Sequence, residues 1–193
     1  MLVTIFLASC SKSPAQLSVA QISVEGEFRT PAADGHFEHN LIETQSDVID
    51  DTVSFLTGHE VGVGVSAFAG ILPNQPAQAP LSAQATFTGN YRAAIIRDIS
   101  IVNNELHGMN ALTDEGRITL NADLSDMTLI GSDGFLSVDA QIVENTHLAG
   151  DVEINGVPGT LIGEIGNDRA FGAFQGGNET NLMSGGFVTT RNP

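Results

Sequence analysis

The chain has 193 residues, 41% hydrophobic and 16% charged, which excludes a disordered polyanion and leaves room for a packed core. Its 7 Lys and Arg stand against 23 Asp and Glu, a formal net charge of −16, so the surface lacks the cations on which nucleic-acid affinity depends. Glycine is abundant at 21, Trp is absent and Tyr occurs once, a balance that suits short strands and turns better than long helices.

The first eight residues, MLVTIFLA, are apolar, of the length of a signal-peptide core, and too short to span a bilayer. The single cysteine, Cys10, has no partner for an intrachain disulfide. Leu7-Ala8-Ser9-Cys10 resembles the lipobox of bacterial lipoprotein signal peptides. That resemblance implies cleavage before Cys10, lipid attachment at its thiol, and residues 1–9 as a signal-peptide remnant. Several acyl chains then anchor where one would hold only marginally. No Lys or Arg precedes the apolar run, which departs from the pattern. Ser11 stands where Asp commonly retains such proteins at the inner membrane, so the resemblance implies the outer membrane. The plainer reading is an apolar N-terminus with an incidental cysteine.

Residues 10–20 read as a small, polar, lipid-anchored tether. Residues 21–82 form an N-terminal strand and loop segment. Ile22, Val24, Gly26 and Phe28 alternate with polar residues as a strand does, and so do Val61, Val63, Val65 and Ala67. Between them, Leu41, Ile42, Val48, Ile49 and Leu56 fall near i, i+7, i+8 and predict the chain's one helix, over Asn40–Leu56, against a rich β-branched content. Residues 73–82, PNQPAQAPLS, read as a linker or extended edge.

From residue 83 the alternation becomes regular. Ala85, Phe87, Gly89 and Tyr91 mark one strand, and Ile118, Leu120, Ala122 and Leu124 another. Leu136, Val138, Ala140 and Ile142 mark a third, and Leu148, Gly150, Val152 and Ile154 a fourth. Each carries one apolar and one polar face, as antiparallel strands covered on one side do. Asp133-Gly134 and Asn155-Gly156 predict type I′ hairpin turns, and Asn103-Asn104, Glu144-Asn145 and Gly166-Asn167-Asp168 further turns. Strands at this spacing imply a closed barrel or a sandwich.

The segments AQATFTGNY, GRITLNADLSDMTLIG, FLSVDAQIVENTHLAGDV and GTLIGEIGNDRAFGAFQGGNETNLMSGGF follow one another over residues 83–193. Their order resembles the C-terminal barrel of the transferrin-binding-protein-B-like lipoproteins. The resemblance implies an all-β fold: an eight-stranded antiparallel up-and-down β-barrel over 83–193, with a short, partly irregular N-terminal extension. It also agrees with a lipid anchor. In the resembled closing motif an aromatic usually stands where Gln175 is, and often a Pro where Gly177 is. Members that bind transferrin are far larger, so the resemblance implies the barrel and the anchor and leaves the ligand-binding residues unknown.

Other chemistry is weakly marked. His36 and His39, with His59-Glu60 further on, would need a third convergent ligand to hold a metal and read as surface loop residues. Asp47, Asp50 and Asp51 lack calcium-loop spacing and read as a solvated face; Asp123, Asp126 and Asp133 read as turn and polar-face residues. Gly62-x-Gly64-x-x-Ala67 matches a dinucleotide fingerprint but continues as a strand. No nucleophile elbow is present, and Ser, His and Asp define no triad, so no catalytic residue, metal ligand or cofactor is expected. The stretch Gly172–Phe187, with five glycines in sixteen residues, lacks the helix or cation of a phosphate cradle. It reads as a closing hairpin in which Gly176-Gly177-Asn178 starts the loop and Gly185-Gly186 the last strand.

These readings converge on a non-catalytic binding protein of the bacterial outer membrane, facing the periplasm or the cell surface. Its partner is expected to be a protein or an iron-bearing ligand. An eight-stranded barrel is filled by its own side chains, which leaves recognition to loops and the exterior. The alternative is a lipocalin-like carrier whose small residues Ala85, Gly89, Ala122, Ala140 and Gly150 leave room inside for a small ligand.

Overall fold

Leu136, Val138, Ala140 and Ile142 are buried while Ser137, Asp139, Gln141 and Val143 are exposed, the period-two pattern of a strand wet on one face. A computed structural model describes residues 26–60, 64–102, 105–107 and 110–193. Their strands are β1 (Glu27–Phe28), β2 (Ile42–Ile49), β3 (Val53–Glu60), β4 (Gly64–Ile71), β5 (Ala85–Arg97), β6 (Ser100–Val102), β7 (Glu105–His107), β8 (Asn110–Asp123), β9 (Thr128–Ser132), β10 (Leu136–Val143), β11 (His147–Ile154), β12 (Val157–Ile165), β13 (Arg169–Asn178) and β14 (Asn181–Arg191). Among the described residues there is no helix.

Strands β5 and β8 to β14 close into an eight-stranded antiparallel barrel in which each strand pairs with the next and β14 returns to β5. The hairpin β6–β7 is an excursion between β5 and β8 and leaves their pairing intact. Closure leaves no unpaired edge in this sheet. Its interior is filled: the rings of Phe87, Tyr91, Phe174 and Phe187 are all buried among Ile118, Leu120, Leu129 and Leu161.

Residues 27–71 form a second, four-stranded sheet in the order β1-β4-β3-β2, with β1 parallel to β4. The helix expected over Asn40–Leu56 is instead the hairpin β2–β3. Its turn is Asp50-Asp51, both at positive φ, with the Thr52 N–H donating to the Ile49 carbonyl. The apparent helical spacing came from two strands read as one element. The turn carries no glycine, although Asp tolerates the left-handed region. Of the strand expected over 22–28, Glu27–Phe28 is realised and 22–25 lie outside the described residues. The strand expected over 61–67 begins at Gly64 and runs to Ile71, with 61–63 outside the described residues.

This small sheet packs on the outside of the barrel. Val53, Phe55 and Ala69 meet Ala94, Phe171, Ala173 and Val188 in one buried cluster, and Val65 and Ala67 meet Ile96, Ile99 and Leu182 in another. Strands β5, β13 and β14 are therefore covered on both faces along much of their length. The single polar face expected of residues 85–91 is kept there, but residues 93–96 of β5 are buried on both sides, and in β13 the run AFGAFQ is buried throughout. At the rim, Arg92 Nη1 donates to Asp47 Oδ2 at 2.6 Å. At the centre, the hydroxyls of Thr57 and Ser184, both fully buried, share a hydrogen bond of 2.5 Å.

The glycine-rich stretch takes its meaning from this sandwich. Gly176-Gly177 end β13 rather than starting a loop, the connection is Glu179-Thr180, and Gly185-Gly186 lie in the middle of β14. Gly172 pairs across strands with Phe187, and Gly185 with Phe174. A Cβ on Gly172 would lie 2.9 Å from the Phe187 ring, and one on Gly185 2.7 Å from the Phe174 ring. Each ring thus covers the glycine opposite, which shields a backbone that glycine leaves bare. On the outer face, a Cβ on Gly186 would meet Val53 Cγ1 at 2.3 Å, so the missing side chain lets the small sheet seat on the barrel.

The turns are built by different means. Asn155 and Gly156 both have positive φ, as do Glu144 and Asn145. At Asp133-Gly134 only the glycine does, so the expected type I′ turn is not formed. Instead Asp133 Oδ1 accepts the N–H groups of Phe135 and Leu136 at 2.9 and 2.8 Å. The buried hydroxyl of Tyr91 donates to the same carboxylate. Burial and the Asp133 charge hold the tyrosine pKa well above its ordinary range. Desolvation alone would raise the Asp133 pKa, but the Leu136 and Phe135 donors and the Tyr91 hydroxyl outweigh it, and the net shift is downward.

Two outcomes follow. Gly186→Ala should cost about 1–3 kcal/mol in chemical denaturation by overpacking, and Val53→Ala in the same chain should recover part of that loss; simple additivity would disconnect the two sites. For Asp133 the folded pKa lies below the unfolded value. Its contribution is complete above the ordinary Asp range and is lost as pH falls through the folded value, below about pH 4. Melting temperatures of wild type and Asp133→Asn, measured from pH 6 to pH 2.5, should therefore differ most at the upper end and converge in acid.

Candidate functional site

Three barrel strands carry the small sheet, whereas β9 to β12 turn their outer faces to solvent. The burial alternation of β10 and β11 puts Asp139, Asp151 and Glu153 on this outer face. Ile130 is 48% exposed, Val143 43% and Ile162 37% on the same side. The face is therefore acidic with apolar patches. A groove of about 660 Å³ runs over it, lined among others by Asn121, Ile130, Ser132, Asp139, Asp151 and Glu153.

Strand register arranges these residues in a row around the barrel. Thr86 pairs with Asn121, Asn121 with Ile130, Ile130 with Asp139, Asp139 with Asp151, Asp151 with Thr160, Thr160 with Gln175, and Gln175 with Ser184. Directly paired residues share a face, so the row is a nearly continuous polar ladder broken by Ile130. Thr86 Oγ1 donates to Asn121 Oδ1 at 3.0 Å, and Gln175 Nε2 donates to Thr160 Oγ1 at 3.2 Å. The row ends beneath the small sheet at the Ser184–Thr57 bond.

Two features of the row are unbalanced. Asp139 and Asp151 are directly opposed like charges, an arrangement that destabilises a sheet. The ion pairs among the described residues join Arg29 to Glu27 and Arg92 to Asp47 and Glu115, away from this face. Next, Gln175 is only 9% exposed, and its Oε1 has no hydrogen-bond partner among the described residues. Other atoms of Gln175 line a cavity of about 440 Å³ together with Gly26, Asp151, Pro158, Gly159, Thr160, Gly176 and Gly177, while the oxygen itself is closed off against Gly26. Asp151, Pro158 and Gly159 line both this cavity and the open groove, so the two adjoin.

The residues singled out by sequence lie elsewhere or in plainer roles. Cys10 is outside the described residues. His36 and His39 sit in the loop before β2 with ring centroids 5.7 Å apart, and His39 Nδ1 accepts the Leu41 N–H at 3.1 Å. His59 is buried in β3. Among the described residues no three His, Cys, Asp or Glu side chains gather as metal ligands would. Asp47 binds Arg92, while Asp50 and Asp51 form a turn. Asp123 caps the β8–β9 turn by accepting the Ser125 N–H, which with the Gln84 amide draws its pKa down against desolvation. Gly64 and Ala67 of the dinucleotide-like pattern lie within β4, with no helix following. A second polar cavity of about 420 Å³ lies beside Arg29, Glu38 and His39, where the Arg29 guanidinium stacks 3.7 Å over the Phe68 ring.

Asp139, Asp151 and Gln175 were not brought together by sequence reasoning. Their proximity depends on strand register, although Gln175 is a visible departure from the resembled closing motif.

No family model matches the chain, and no curated protein matches it. Solved structures similar to it include a transferrin binding protein B mutant from Haemophilus parasuis Hp5, with TM-score 0.47 and 13% identity over 77% of this chain and 36% of that one. The isotype 1 transferrin binding protein B from serogroup B Neisseria meningitidis gives 0.44 and 14% over 89% and 36%. The apo haemoglobin receptor HpuA from Kingella denitrificans gives 0.44 and 14% over 74% and 55%. The chain spans roughly a third to just over half of the length of these structures.

Because Asp139 and Asp151 repel each other, Asp139→Asn should stabilise the fold by roughly 0.2–1 kcal/mol at low ionic strength, with the gain shrinking as salt is added. Urea denaturation at two salt concentrations reads this directly. An unchanged or lower stability would mean that the two carboxylates do not oppose each other in solution.

Proposed function

We propose that this chain is a non-catalytic binding protein of the bacterial cell envelope, anchored through lipid on Cys10, that docks a protein on the outer face of β9 to β12. The observation carrying the reading is the division of the barrel surface. The interior is filled by Phe87, Tyr91, Phe174 and Phe187, and the outer faces of β5, β13 and β14 are covered by the small sheet. The β9–β12 face is left with exposed Ile130, Val143 and Ile162 among acidic residues. Exposed apolar side chains rimmed by charge are the composition of a protein-binding patch.

The anchor, the outer-membrane location and membership of the transferrin-binding-protein-B-like lipoproteins are supported by the lipobox-like Leu7–Cys10 and by the strand pattern over 83–193. The resemblance implies a protein or an iron-bearing ligand as partner, and the exposed face favours the protein. The aromatic filling of the interior favours this exterior mode over a lipocalin-like carrier.

Photocrosslinking residues placed singly at Ile130, Ile162 and Glu179 of the full chain test the reading in envelope preparations. A discrete protein adduct is expected from Ile130 and Ile162. Glu179, at the β13–β14 tip, should give none. Adducts from Glu179 alone would move recognition to the hairpin ends and overturn the assignment, as would adducts from none of the three.

A further inference from the structure

We propose that the chain's own residues 22–25, which lie outside the described residues, continue β1 along the edge of β4 as a strap and seat Val24 in the cavity of about 440 Å³ beside Gly26. The strap stands apart from the docking reading and rests on three features of the described chain.

The first is an unfinished edge. Strand β1 pairs with β4 at Phe68 and Ala69 alone, although β4 begins at Gly64. The Arg29 N–H donates to the Ala69 carbonyl at 3.0 Å, so the odd-numbered residues of β4 turn their backbone groups toward β1. Val65 and Ala67 present theirs the same way, and both residues are buried. Among the described residues no strand reaches the Val65 carbonyl or the Ala67 N–H on that side. Buried backbone groups are almost always paired, and a longer β1 would pair these.

The second is the alternation of the sequence. Gly26 and Phe28 face the barrel: a Cβ on Gly26 would run into the Gln175 side chain, and Phe28 packs on the cluster of Val53, Ala94 and Phe171. Glu27 between them is exposed. Period two then puts Ile22 and Val24 on the barrel side and Ser23 and Glu25 on the wet side. Both inward residues are β-branched, as suits a strand. The register that sets Glu27 against Phe68 carries Val24 to the level of Val65. Stepping the Arg29–Ala69 bond back four residues on each strand aims the Glu25 N–H at the Val65 carbonyl.

The third is the seat. Two residues of strand advance about 6.6 Å, which carries the inward side chain from Gly26 to the next place along β4. Val65 packs against Leu182, and Leu182 pairs with Gly177, so the level of Val65 is also the level of Gly177. The cavity lies there, lined by Gly26, Pro158, Gly159, Gly176 and Gly177. Gly177 shares the outer face of β13 with Gln175 and places no side chain on it, which leaves room for Val24. A strap in this seat releases the preceding chain at the border of the β9–β12 face, beside Asp151 and Pro158. On the anchor reading above, residues 11–21 reach roughly 40 Å at full extension, so that face is held close to the membrane.

The test is native-state amide hydrogen exchange on the full chain, with a free peptide of residues 19–26 as reference. The Glu25 amide should exchange at least about tenfold more slowly than in the peptide, and the Val24 amide, which points away from β4, at close to the peptide rate. A photocrosslinking residue at Val24 should give an adduct within the same chain, next to Pro158 or Gly177. Val24→Asp should abolish the Glu25 protection and lower the melting temperature by roughly 4–8 °C. Glu25→Gln, on the wet side, should leave both unchanged. Exchange on the wild-type chain decides the matter even where Val24→Asp fails to fold.

Exchange of Glu25 at the peptide rate would overturn the strap. An adduct between two chains would overturn it by giving the β4 edge to a second copy, and an adduct to another protein by giving it to a partner's strand. None of these results touches the adducts expected from Ile130 and Ile162, so the strap and the docking face stand or fall separately.

Discussion

Strands β5, β13 and β14 must satisfy two packing partners at once, the barrel interior on one side and the sheet of residues 27–71 on the other. A strand in that position has no solvated face on which to place charge. It must also be thin enough for a second sheet to approach its backbone. Glycine meets the second demand at the expense of strand rigidity. The reciprocal pairs Gly172–Phe187 and Gly185–Phe174 offset that expense by laying a ring over each bare backbone site. At the centre of this layer Thr57 and Ser184 form a closed pair, each hydroxyl answering the other. Such a pair contributes little net energy, but separating its members would strand two buried hydroxyls, so it fixes how the two sheets register.

The covering sheet makes the barrel asymmetric, and the asymmetry is what gives the remaining surface a role. Closure removes edges, and the aromatic interior removes a pocket, so the proposed docking falls to the exposed outer faces and the loops. The cross-strand row passes from open solvent at Asp139 and Asp151 to the covered region at Ser184. Gln175 lies where the row goes under the small sheet, which is why a polar residue there is buried with one end unanswered.

The legibility of the sequence follows the same division. Strands β10 and β11 could be read residue by residue, because one face is wet and alternation survives. In β13 the burial is nearly unbroken, so AFGAFQGG carries no period and its glycines passed for a loop. The helix expected over Asn40–Leu56 failed for another reason. Asp50-Asp51 turns the chain in two residues without the glycine that marks Asn155-Gly156, and two strands merged into one apparent period. The candidate site was legible only in part. Gln175 stood out as a departure from the resembled motif, but Asp139 and Asp151 are joined by pairing that no local window contains.

The placement of the cations links the fold to the acidic face. Arg92 ties β5 to Asp47 of β2, Arg29 is held by Glu27 and stacks on Phe68, Arg169 binds Gln75 and stacks on Phe171, and Arg191 reaches the Asn167 carbonyl. These four arginines thus serve the seam between the sheets and the barrel's connecting loops, while Arg117 is exposed on β8. The β9–β12 face keeps its negative charge uncompensated, with a net −16 on the chain behind it. A field of that sign draws a basic surface from a distance but is blind to orientation. Orientation has to come from short-range groups that only one arrangement satisfies, and on this face those are the exposed Ile130 and Ile162 side chains set among Asp139, Asp151 and Glu153.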